Sequence, residues 1–329
     1  MLRVGLTGGI AAGKSVVARR LVELGAVLVD ADLLARTAVE PGSEGLDEVI
    51  HAFGRNFLTS EGALDRAALG RTIFADTTAR ERLNGIVHPR VRAAAAGLIA
   101  DAPDDAVVVE DIPLLVESGQ AGRFHLVVVV DAPDDLRIRR MVEQRGMQRD
   151  EAEQRMAAQA SRTERLQEAD AILGNEGPIN EVLASTEALW TDRITTFRDN
   201  LGAHRPAVRP HSSSAAAGLI GTSGLARRVA SRLAAALPPG VDVMVDSRAG
   251  TEHDDVVSAA LFVRATQKAG RSEISAVMAA AGYPWAGDGD VMRSGDAARS
   301  VNVAVHRGAD PATDVTVTLL PRDTSVPSA

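Results

Sequence analysis

Apolar residues in the first part of the chain fall into short runs separated by stretches with helical spacing. Residues 2–7 (LRVGLT) read as a buried strand, 14–24 as a helix and 26–30 as a second strand. Residues 106–110 (AVVVE) and 126–131 (LVVVVD) are β-branched runs too short and too apolar for surface helices. A last short run, 171–173, ends at Gly174-Asn175. Helical patterns lie between the strands, notably over 90–100, 134–144 and 149–165. Strands apolar on both faces and alternating with helices predict an α/β fold, a parallel central sheet with helices on each side.

The pattern changes at 201–217, where Pro206, Pro210, a serine run and an alanine run replace periodicity. This stretch reads as a linker. A second segment follows, with a helix at 225–236 and strands near 241–246, 259–265, 301–306 and 315–319. The expected division is a first domain over 1–200, a linker over 201–218, a smaller α+β domain over 219–321 and a disordered tail over 322–329.

Composition narrows the class. The chain has 329 residues, too many for one ordinary core, of which 45% are hydrophobic and 24% charged. No apolar run approaches the ~20 residues that cross a bilayer, and the N-terminus enters a strand without the form of a secretory signal. With no cysteine, disulfides and thiol chemistry are excluded. A cytoplasmic protein that acts neither on a membrane nor as a general nucleic-acid binder fits these features and the net charge of −8. Lys14 and Lys268 are the only lysines, so a lysine inside a motif carries weight.

Gly8-Gly9-Ile10-Ala11-Ala12-Gly13-Lys14-Ser15 has the pattern G-x-x-x-x-G-K-[ST]. Glycines let successive backbone N–H groups wrap a phosphate, and the helix that follows points its positive end at the anion. Lys14 is placed to reach the β- and γ-phosphates, and the Ser15 hydroxyl to ligand Mg²⁺. Composition alone gives the full pattern by chance in roughly one such chain in several hundred. A guanine-reading N-K-x-D is absent, which argues against a GTPase. Glu110 and Asp111 imitate the acid of a motor ATPase, a reading of lower weight. Asp30 and Asp32 end the second strand, where open parallel sheets bind ligands. A carboxylate there suits the acceptance of a proton from an attacking hydroxyl. Asp32 equally suits the cap of a helix over 33–39.

Several motifs in order, LTGGIAAGKS, DADLLAR, VEPG, HPRV, IPLLVE, VVVDAP and ADAILGNEG, resemble the dephospho-coenzyme A kinase family over residues 1–197. The resemblance implies a three-layer P-loop kinase fold with helical acceptor-binding and lid segments. It also implies transfer of the ATP γ-phosphate to the ribose 3′-hydroxyl of dephospho-coenzyme A. On the matching positions, Asp32 is the base, Lys14 the phosphate-loop lysine and Arg140 the lid arginine, with Arg139 an adjacent ambiguity. The nucleotide contacts are Gly8 to Val16 (Gly8, Gly9, Ile10, Ala11, Ala12, Gly13, Lys14, Ser15, Val16) with Asn175. The remaining substrate contacts are His88, Leu114, Leu115 and Glu117 on the acceptor side, with Gln159 and Arg162 towards the nucleotide. Asn175 suits a helix C-cap equally well. Val16 stands where relatives carry a hydroxyl, which predicts slightly weaker ATP. The second segment faintly resembles GrpB-like, nucleotidyltransferase-like domains, with a structural or regulatory role expected. Its Asp254-Asp255 fits a solvated acidic loop better than a metal pair. The rival readings are a P-loop kinase for another small acceptor and a nucleotide-binding regulatory protein.

Overall fold

The computed structural model of the chain describes residues 1–207, 224–245, 257–265, 270–293 and 296–320. Most of the expected linker, Asp254-Asp255 and the tail lie outside the described residues.

In chain order the first strands and helices are β1 (Leu2–Gly8), α1 (Lys14–Glu23), β2 (Val27–Asp30) and α2 (Ala31–Thr37). Helices α3 (Glu44–Phe53), α4 (Arg66–Ala75) and α5 (Thr77–Ala100) follow, then β3 (Val107–Asp111) and β4 (Leu126–Asp131). Next come α6 (Asp134–Arg145), α7 (Arg149–Ala157), α8 (Arg162–Glu168), β5 (Ala171–Gly174), α9 (Ile179–Leu189) and α10 (Thr195–Gly202). The five strands form one sheet in the order β2-β3-β1-β4-β5, with β1 and β5 both parallel to β4. Leu2, Val4, Leu6, Val108, Leu126 and Val128 have no exposed surface, as strands covered on both faces require.

Three helical boundaries differ from the periodic reading. The stretch 149–165 is two helices, because Ser161 starts α8 with a capping box: its Oγ accepts from the Glu164 amide while the Glu164 carboxylate accepts from the Ser161 amide. Helix α5 begins at Thr77, well before position 90, and passes through Pro89. A proline inside a helix removes one backbone bond without always ending it. Residues 201 and 202, assigned to the linker, close α10.

The C-terminal part contains α11 (Leu225–Ala236), β6 (Val241–Val245), β7 (Val257–Ala265), α12 (Arg271–Ala280), β8 (Trp285–Arg293), β9 (Asp296–Arg307) and β10 (Thr313–Leu320). Its sheet has the order β6-β7-β10-β9-β8 and is mixed, with β10 parallel to β7 and antiparallel to β9. Strand β8 was not anticipated. Its Gly287, Asp288, Gly289 and Asp290 carry turn chemistry rather than β propensity, and pairing with β9 overrides it. Val229 and Leu233 of α11 pack with Ile274, Met278, Val315, Val317 and Leu319 in a single core.

Contacts divide the chain into two compact units. One comprises residues 1–27, 104–109 and 113–329, and so joins the phosphate-loop strand to the C-terminal sheet. The other comprises 28–103 and 110–112. Within this second unit Val39, Val49 and Leu69 form a core with Phe53, Phe57, Leu83 and Ile86, and Arg90 pairs with Glu48 at 2.8 Å.

Candidate active site

The buried strand β1 delivers residues 8–13 to the start of α1, and the loop is closed by backbone bonds from Ala12 N to Gly9 O and from Val16 N to Gly13 O, both 3.0 Å. Gly13 has φ +100°, and a Cβ built on it would lie 2.0 Å from Asn175 Nδ2. Glycine is required there on both counts. Gly13 is also the N-cap of α1, with no side chain capping the helix and no acidic residue in its first turn. The amides of that turn are left for an anion, at the positive end of the helix. Lys14 and Ser15 open the helix, Ser15 with its side chain exposed.

Three side chains from other elements brace the loop. Asn175, buried just past β5, donates from Nδ2 to Ala12 O at 2.7 Å, and its own amide donates to Asp131 O at 2.8 Å. It follows a strand, so the C-cap alternative falls. Gln159 accepts from Ile10 N on Oε1 at 3.0 Å. Arg140 donates to Ala11 O at 3.3 Å and to Asn175 O at 2.9 Å. Arg139 points away to solvent, 3.9 Å from Asp135. Helix α6 thus turns Arg140, not Arg139, to the loop.

Arg137 lies one helical turn before Arg140 and was not anticipated. It is buried, donating from Nε to Ile10 O at 2.9 Å and from Nη1 to Asp134 at 2.8 Å, with Nη2 3.5 Å from Gln159 Oε1. Burial lowers its pKa, and the charge of Arg165 adds to the effect. A Cβ on Gly9 would meet its Nη2 at 2.3 Å, so any side chain there would have to push the Arg137 guanidinium aside. The spacing R-x-x-R places positions 137 and 140 on one helix face, and that was the available signal.

Arg162 holds Asp131, at the end of β4, through Nε at 3.0 Å and Nη2 at 2.6 Å. The hydrogen bond to Asp131 is the main reason its pKa is raised. Glu117 accepts from Ala160 N at 2.7 Å, next to Gln159. Leu115 is fully buried and belongs to the core, whereas Leu114 is 49% exposed.

Asp32 and His88 belong to the second compact unit. The N-cap of α2 is Asp30, whose Oδ1 accepts from Leu33 N at 2.9 Å. Asp32 sits in the first turn with its side chain exposed, so the capping alternative for it is overturned and its carboxylate is uncommitted to the helix end. His88 is exposed on α5 and caps nothing. Among the described residues no group of three or more His, Cys, Asp or Glu side chains could hold a metal ion. No helix among them is long and apolar enough to cross a membrane.

The family profile for dephospho-CoA kinase matches residues 2–181. A dephospho-CoA kinase of Mycolicibacterium paratuberculosis is 51% identical over 210 residues, which are 64% of this chain and 52% of that protein. One from Streptomyces avermitilis is 50% identical over 194 residues, 59% of this chain and 95% of that protein. The crystal structure of TT1252 from Thermus thermophilus superposes with a TM-score of 0.51 at 33% identity, over 58% of this chain and 97% of that one. The alignment spans about half the length of the mycobacterial relatives. With more than half of its residues matched and its phosphate loop built as described, the chain belongs to the dephospho-CoA kinase family.

Proposed function

We propose that the chain transfers the γ-phosphoryl group of ATP to the ribose 3′-hydroxyl of dephospho-coenzyme A, giving coenzyme A and ADP. The observation that carries this reading is the phosphate loop itself: an uncapped helix start, Lys14 at its first position and Arg140 anchored on the loop carbonyls. Family membership supplies the acceptor.

In this mechanism the 3′-oxygen forms a bond to the γ-phosphorus as the bond to the β,γ-bridging oxygen breaks, and ADP departs. The proton of the 3′-hydroxyl passes to the Asp32 carboxylate. Lys14 and the loop amides offset charge on the phosphates. Arg140 extends a guanidinium from α6, and a planar fork of this kind can hold two phosphate oxygens. Leu114, His88 and Glu117 serve the acceptor side, while Gln159, Arg162 and Asn175 hold the loop and its flank. Mg²⁺ fits as a companion of ATP rather than as a resident ion. The exposed Ser15 hydroxyl is the protein donor, and no carboxylate or imidazole cluster among the described residues competes for it. The ion supplies neutralisation of phosphate charge when bound. Cytoplasmic action belongs to the same reading. For the C-terminal part we retain a GrpB-like assignment, supported by its helices and five-stranded mixed sheet.

The test is ADP release from the full chain with ATP and dephospho-coenzyme A, alongside shikimate and a panel of nucleosides. Turnover with dephospho-coenzyme A alone is expected. Preference for another acceptor would make this a kinase of different specificity, and ATP binding without turnover on any acceptor would favour a regulatory protein.

A further inference from the structure

The kinase profile ends at residue 181, yet the C-terminal part is fastened to the catalytic sheet by buried charge. Asp170, 4% exposed, immediately precedes β5. Its Oδ1 accepts from Arg228 Nε at 3.0 Å and its Oδ2 from Arg232 Nη2 at 2.7 Å, both arginines being on α11. Oδ2 also accepts from Val127 N at 2.9 Å, so the same carboxylate continues the ladder between β5 and β4. Arg232 further donates to Phe124 O and Tyr283 Oη. From the other direction, Arg193 of the kinase segment donates to Asp170 O at 2.7 Å and to both oxygens of Asp310 at 2.9 and 2.6 Å. All three arginines are buried.

Strand β5 lies at the edge of its sheet and is four residues long. An edge strand this short has one ladder to hold it, and its position depends on what grips its two ends. One end is Asp170. The other is Asn175, which bonds Ala12 O of the phosphate loop and accepts from Arg140 on its carbonyl. Five extended steps of ~3.3 Å put the two grips about 16 Å apart on one rigid segment.

We propose that Asp170, Arg228 and Arg232 are positioning residues for the nucleotide site: the C-terminal domain fixes β5 at its start, and β5 holds Asn175 and thereby the carbonyl side of the phosphate loop. The inference rests on the reading of this loop as the ATP site but not on the identity of the acceptor.

The test reads ATP affinity by titration calorimetry on the full chain without acceptor, at a temperature below each protein's thermal transition. Arg232→Lys keeps the charge but cannot span Phe124 O, Tyr283 Oη and Asp170 together. It is expected to weaken ATP about three- to tenfold, the range of coupling through a packed network. Hydrogen exchange should quicken at the amides of residues 12–15. Arg227→Gln removes an exposed contact to Glu168 at the same junction and should leave affinity within about twofold. A cooperatively folded Arg232→Lys protein that binds ATP like the parent would overturn the proposal. Should that variant lack a cooperative transition, Asp170→Asn carries the same expectation and the same refutation. Loss of dephospho-coenzyme A turnover in the parent leaves this test intact, since ATP binding is measured directly.

Discussion

Gly9 and Arg137 occupy neighbouring space, and a methyl group on the one displaces the guanidinium of the other. Gly9→Ala should weaken ATP binding about tenfold, the scale of one hydrogen bond involving a charged group. Arg137→Ala should act similarly, and the double variant should be no worse than Arg137→Ala alone, as residues sharing one interaction are non-additive. Equal, additive losses in a titration would contradict this account. Ala11 holds φ at +61°, in the left-handed region that disfavours a side chain. Relief of about 1–2 kcal/mol of strain, less the entropy glycine gives the unfolded chain, predicts that Ala11→Gly stabilises by about 0.5–1 kcal/mol in urea unfolding. For turnover, positioning and charge should outweigh proton removal in a loose transition state. Lys14→Ala and Arg140→Ala should therefore lower kcat/KM more than Asp32→Asn does. Near-full turnover in Asp32→Asn would remove Asp32 as the base.

At the scale of elements, α8 depends on its capping box. Ser161→Ala should cost about 1 kcal/mol, read as a lowered midpoint of chemical unfolding, and an unchanged midpoint would show that the cap is dispensable. That cap was legible in the sequence as S-x-x-E, but the periodic pattern ran straight across it and joined α7 to α8. Strands β3 and β4 were legible because continuous β-branched runs have few alternatives in so short a length. The phosphate loop was legible because its chemistry is local: one strand, one turn and one helix supply it. The braces were less so: Gln159 and Asn175 were placed near the nucleotide only through the family resemblance, and Arg137 was missed despite its R-x-x-R spacing, because all three reach the loop from more than a hundred residues away. The same limit applied to Leu114 and Leu115, adjacent apolar residues of which one is core and the other exposed. Strand β8 was hidden by its glycines and aspartates, whose pairing only the partner strand decides.

Across the whole molecule, acid should loosen the junction between the first five-stranded sheet and the C-terminal part of the chain. His125 accepts from Arg3 N on Nδ1 and faces Ala280 O with Nε2, both at 2.9 Å, a pattern that assigns a neutral ring with its proton on Nε2. Burial lowers its pKa to about 4. The unfolded ring takes up a proton as pH falls through about 6.5, but the folded ring does not until about 4. Stability is therefore full above that upper value and declines as pH drops towards the lower one. Burial pushes Asp170 up, but the charges of Arg232, Arg228 and Arg193 hold it below the ordinary carboxylate range. Its contribution survives to lower pH and is lost only when it too is protonated. Urea unfolding at pH 7 and pH 5 should show a loss in the parent that shrinks in His125→Gln, and an equal loss in both would contradict the assignment.

Transfer to the ribose 3′-hydroxyl fixes where the phosphate must be found. Incubating the full chain with ATP and dephospho-coenzyme A, then locating any added phosphoryl group by mass spectrometry and phosphorus NMR, tests it most directly. One phosphate is expected, on the ribose 3′-oxygen, formed in step with ADP and lost in Lys14→Ala. Recovery of unchanged dephospho-coenzyme A from a protein that binds ATP, or phosphate at another position, would contradict it.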